Sequence, residues 1–129
     1  MSRATRGRAV TSPAAADRRL RGRTSAVPFQ HVWQAACTLA GGGLRGWSLA
    51  GQDDDAGIIT AHANALIGDG HHVVIRIGLD ENAQTRVDAE ADAISPAADF
   101  GRAARCLHRF FTALDQSLAR QPPRGVGHR

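Results

Sequence analysis

His62, His72, Asp88, Glu90 and Asp92, with Arg76 among them, occupy the polar positions of three segments whose apolar residues recur at every second place. If those segments are neighbouring strands, all six side chains share one face. Two imidazoles beside carboxylates can bind a divalent metal or move protons as general acid and base. The spacing fixes neither a ligand geometry nor a pocket, and the same residues equally describe a solvated face of cross-strand ion pairs. They are therefore read as a surface for a ligand or partner, with no catalytic residue, metal ligand or cofactor assigned.

A second group is basic. Arg102, Arg105 and Arg109 stand three and four residues apart in a segment of helical periodicity, on the side opposite its apolar residues. Such a stripe can meet an acidic protein or a phosphate.

Other motifs fail on context. Gly41, Gly43 and Gly46 satisfy G-x-G-x-x-G, but a helix precedes them and a strand follows, the reverse of a dinucleotide site. Gly46-Trp47-Ser48-Leu49-Ala50 lacks the last glycine of a nucleophile elbow, so Ser48 reads as an ordinary strand residue. Asp53, Asp55 and Gly57 approach a calcium loop without its bidentate glutamate and read as a solvated turn.

The positioning elements follow from periodicity. Phe29, Val32, Trp33, Ala36, Cys37 and Ala40 trace a helix that starts after Pro28 and stops at Gly41-Gly42-Gly43. Trp47-Ser48-Leu49 predicts a short strand. Alternation then predicts three more, through Ile59–Ala65, Val73–Leu79 and Val87–Ala93. Phe100, Ala103, Ala104, Leu107, Phe111, Leu114 and Leu118 form one face of a final helix, with Ser95-Pro96 or Asp99 as its cap. The short connections Gly68-Asp69-Gly70 and Asp80–Gln84 require antiparallel neighbours. The fold expected is α+β, a four-stranded antiparallel meander with both helices on one face, in the order αββββα. Pairing Ile75 with Ala89 sets Arg76 opposite Asp88 and His72 opposite Asp92; pairing Ala63 with Ile75 sets His62 beside Arg76. His71 is expected to point to the other face.

Charge divides the chain of 129 residues into three parts. Residues 1–26 hold seven Arg against Asp17, residues 120–129 hold three Arg, and residues 27–119 hold six Arg against eleven acids. The flanks, poor in apolar side chains, are expected to be disordered tails around one domain at 27–119. Arg-rich tails can attract nucleic acid or an anionic surface. No apolar run is long enough to cross a bilayer, and no secretory signal is recognisable, so a soluble cytoplasmic protein is expected. Cys37 and Cys106 are too few for a disulfide framework and read as reduced thiols.

From Phe29 to about Leu118 the pattern resembles the bacterial domain-of-unknown-function 1499 family. The likeness runs through Phe29, Val32-Trp33, Gly46-Trp47, Gly57–Ala61, Val73–Ile77, Thr85–Asp88, Asp99-Phe100-Gly101 and Phe110. The family's Arg-Ser-x-Ser-Arg strand is replaced here by Glu90, Ala91, Ala93 and Ile94, and its helix-start Asn by Ala103. The resemblance implies a fold and no activity. With a complete core and no convincing catalytic constellation, the expected function is a non-catalytic binding or interaction module for a protein or small ligand. The alternatives are a metal-dependent or hydrolase-like enzyme using His62, His72, Asp88 and Asp92, or nucleic-acid binding through the tails.

Overall fold

Alternating burial decides the sheet. In a computed structural model, which describes residues 4–5, 7–65, 69–95 and 101–120, the apolar positions Ile59, Ala61, Ala63, Val73, Ile75, Ile77, Val87, Ala89 and Ala91 are all buried on one face. They belong to β5 (Ile58–Ala63), β6 (His71–Leu79) and β7 (Thr85–Ala93). With β4 (Trp47–Asp53) these strands form the expected antiparallel meander. Two helices cover the buried face, α1 (Phe29–Thr38) and α2 (Arg102–Ala119). Their contributions to the core include Val32, Trp33 and Ala36 from α1, and Leu107, Phe110, Phe111 and Leu114 from α2. The molecule is α+β with an antiparallel sheet.

The sheet is larger than the four strands expected. Three short strands precede α1: β1 (Ala4–Thr5), β2 (Arg8–Val10) and β3 (Arg23–Ser25). The order is β1-β2-β7-β6-β5-β4, and β3 also pairs with β7. β2 covers Glu90–Asp92 and β3 covers Thr85–Val87, so two strand fragments close one edge of β7. Between them a 3-10 turn, Arg18–Leu20, inserts Leu20 into the core at 1% exposure. Gly22 shows why this crossing needs glycine: its φ is +70°, and a Cβ there would lie 2.5 Å from the Val87 carbonyl oxygen.

Residues 1–26 are therefore not a detached tail; all but residues 1–3 and 6 of them are described, and Arg8–Ser25 are built into the domain. The composition misleads because the strands are only two or three residues long and the buried side chains of the segment include small ones, Ala9 in β2 and Ala15 in the following loop. Arginine dominates the count, yet Arg8, Arg19, Arg21 and Arg23 are held internally. Arg8 pairs with Asp92 and Glu90, Arg19 with Asp17, and Arg23 with Asp115. Arg21 Nε donates to the Ala15 carbonyl oxygen at 2.7 Å. The Arg19 guanidinium holds the Asp17 carboxyl below the usual carboxylate range. The expected tail at 120–129 lies, beyond Arg120, outside the described residues, as do Gly68, Pro96, Asp99 and Phe100.

Register agrees on one side of β6 and moves on the other. Ile75 faces Ala89, Arg76 faces Asp88 and His72 faces Asp92, as the five-residue Asp80–Gln84 connection dictates. Against β5, however, Ala63 pairs with His71 and Ile59 with Ile75, four residues away from the expected Ala63–Ile75 pairing. His62 consequently faces His72, and Ile58 takes the place beside Arg76. The connection is longer than predicted because β5 ends at Ala63; Gly70, at φ +86°, then brings its backbone against the Ala63 carbonyl, where a Cβ would sit 2.2 Å from the oxygen. A shift by an even number preserves which side chains face the core.

Candidate functional site

Parity puts His62, His72, Arg76, Asp88, Glu90 and Asp92 on the sheet face away from the helices, intermediate or exposed in each case. What the register does not supply is convergence. Glu90 is held between two guanidinium groups, Arg76 at 2.9 Å and Arg8 at 3.3 Å, and Asp92 accepts from Arg8 at 2.9 Å. Asp88 accepts from Thr11 Oγ1 at 2.8 Å and from Arg86 Nη2 at 2.7 Å. Arg86 also donates to the Arg21 carbonyl, tying the N-terminal segment to β7. These carboxylates already have charge-assisted partners.

The imidazoles behave differently. Their rings meet edge to face with centroids 6.2 Å apart, and His62 Nε2 lies 3.0 Å from the Asp69 carbonyl oxygen. A carbonyl only accepts, so that nitrogen carries a proton. Ser48, His62, His72 and Asp92 stand in one cross-strand row, but Ser48 makes no side-chain hydrogen bond to His62. Among the described residues, the one group of three whose donor atoms come within metal-binding reach is Asp53, Asp54 and Asp55, all exposed in the β4–β5 turn. There Asp53 Oδ1 accepts from the backbone N–H of Asp55 and of Ala56, so it organises the turn.

The other predicted group lies at a concavity. Arg102, Arg105 and Arg109 line a cleft of about 330 Å³ between α2 and one end of the sheet. The sequence expects them opposite the apolar face of α2. They nevertheless line the cleft together with Cys106. Trp47, Ala63 and Ala65 supply an apolar floor, with Asn64, His71 and Cys106 completing the lining. Trp47 is held by stacking on Phe110, with centroids 5.6 Å apart and an interplanar angle of 19°. His71, 5% exposed, points to this side of the sheet as expected.

The electrostatics of the cleft are one-sided. No Asp or Glu lines it among the described residues. Arg105 and Arg109 form no ion pair there, and Arg109 Nη2 donates at 3.0 Å to the Arg45 carbonyl oxygen, a neutral group. Cys37 and Cys106 are separate thiols. Burial, with a smaller contribution from Asp54, pushes the Cys37 thiol above its ordinary range.

Sequence reasoning found the three arginines but missed the cleft, because Trp47 and His71 join them only through tertiary packing. The available signal was the Gly46-Trp47 pair: a large aromatic at the start of a strand whose next three residues are exposed. Among the described residues no helix is long and apolar enough to cross a membrane. No family model matches the chain, and a search of curated proteins finds no match.

Proposed function

We propose that this domain is a non-catalytic binding module whose ligand site is the cleft bordered by Arg102, Arg105 and Arg109. The observation that carries this reading is the contrast in arginine pairing. Arg8, Arg19, Arg23, Arg76 and Arg86 each neutralise a carboxylate, whereas Arg105 and Arg109 border an apolar-floored cleft with none among the described residues. Concave sites with an apolar lining and a few convergent polar groups are where small ligands bind. The polar sheet face supports the reading less, since its carboxylates are satisfied by the protein's own arginines. A cytoplasmic setting, in which Cys37 and Cys106 stay reduced, accords with it. We also propose a distant kinship with the domain-of-unknown-function 1499 family, supported by the spacing from Phe29 to Phe110.

Two-dimensional NMR with a fragment and metal panel tests the function. Ligand-induced shifts should centre on Trp47, Ala63, Ala65 and Cys106. Shifts centred on His62, His72 and Asp92, or stoichiometric metal binding there, would replace this reading with one based on the sheet face.

A further inference from the structure

The cleft specifies a ligand by charge and by shape. Arg105 and Arg109, each bearing a guanidinium, border one small opening, and among the described residues no acidic side chain shares it. An occupant that brings negative charge relieves the mutual repulsion of these groups and accepts paired N–H donors, which a neutral occupant cannot do. Four carboxylates are engaged elsewhere: Glu90 and Asp92 by Arg8, Asp115 by Arg23, and Asp88 by Arg86.

Charge alone does not describe the site. Its floor is the Trp47 indole with Ala63 and Ala65, and such a surface gains from covering by apolar atoms, at about 25 cal/mol per Å². Water bound over it would be readily displaced. A volume of about 330 Å³ sits at the small end of ligand sites, roughly 300–1,000 Å³, which suits a metabolite-sized molecule.

Resting on the reading of this cleft as the binding site, we infer that its ligand is a small amphiphilic anion: a carboxylate or phosphate monoester head held by Arg105 and Arg109, joined to a compact apolar body lying against Trp47. The two head groups share the chemistry that guanidinium recognises, a pair of oxygens in one plane.

The test is a titration of the full chain, followed through the Trp47 indole N–H, with phenyl phosphate, benzoate, inorganic phosphate and benzyl alcohol. Phenyl phosphate, benzoate or both should saturate one site, at least tenfold more tightly than inorganic phosphate or benzyl alcohol. The stronger of the two identifies the head group. The double substitution Arg105→Gln and Arg109→Gln should weaken that binding at least tenfold with the spectrum of the fold intact, and the Arg-to-Lys pair should restore part of it. Arg76→Gln, which removes the same charge from the other face, should leave it unchanged. Inorganic phosphate binding as tightly as phenyl phosphate would overturn the apolar half of the inference. Benzyl alcohol binding equally well would overturn the anionic half while leaving the cleft as a binding site. No response of Trp47 to any of the four would overturn the inference and the cleft reading together.

Discussion

The N-terminal segment and α2 both carry arginines at short intervals, but the two sets are surrounded differently. Arg8, Arg19 and Arg23 each meet a carboxylate within 3.3 Å, and three of their four carboxylate contacts cross from the N-terminal segment to β7 or α2. Arg105 and Arg109 meet none among the described residues, and border a cleft. The first set therefore belongs to folding: Arg8 compensates the acidic strand β7, Arg23 ties the segment to α2, and Arg19 holds Asp17 within it. On the proposed reading, the second set serves a ligand. Residue counts cannot separate these roles, because the difference lies in which carboxylates the fold brings near.

The sharpest break of this comparison is removal of residues 1–26. If the segment is part of the domain, its loss uncovers the β7 edge and the core around Leu20, and cooperative unfolding in urea should be lost or shifted far toward lower denaturant. Leu20→Ala alone should cost about 2–5 kcal/mol, the usual range for emptying a closed core site. An unchanged midpoint in both variants would return the segment to the status of a tail.

That expectation marks where the sequence was legible and where it was not. Alternation in β5, β6 and β7 identifies the buried face except at the segment ends, where Leu79 is 66% exposed and Ala65 and Ala93 are only half-buried, and the compact Asp80–Gln84 connection fixes the β6–β7 register. The β5–β6 register is harder to read because nothing in Ala63-Asn64-Ala65 distinguishes strand from turn; the parity of the pairing nevertheless survives. The N-terminal strands escape notice because a three-residue strand is too short for periodicity, and the partner of β2 and β3 is β7, far along the chain. The arginine stripe of α2 is visible in the sequence, while its cleft depends on Trp47 and His71 arriving from two other strands.

A smaller effect separates the two arginine sets by stability. Arg8→Gln should destabilise by about 0.5–1 kcal/mol, as expected for a partly exposed network, and the loss should shrink in high salt. A double-mutant cycle with Glu90→Gln should show coupling. Arg105→Gln with Arg109→Gln should change stability by less than about 0.5 kcal/mol. Equal losses for the two sets would erase the distinction.

The smallest effect concerns Asp17. Because Arg19 lowers its carboxyl titration in the folded state, the pair contributes stability that is present above the ordinary aspartate range and is lost as pH falls through the lowered folded value. The Asp17 carboxyl signal should accordingly titrate below that of a free aspartate in NMR. A midpoint at or above the free value would show that Arg19 is not held there.

The central claim is that the two arginine sets do separate jobs, and thermal unfolding with and without phenyl phosphate or benzoate tests it most directly. The account predicts a crossover: Arg8→Gln lowers the melting temperature and keeps the ligand-induced rise, whereas the Arg105→Gln and Arg109→Gln pair keeps the melting temperature and loses that rise. A ligand-induced rise that survives in the α2 double variant, or vanishes in Arg8→Gln, would contradict it.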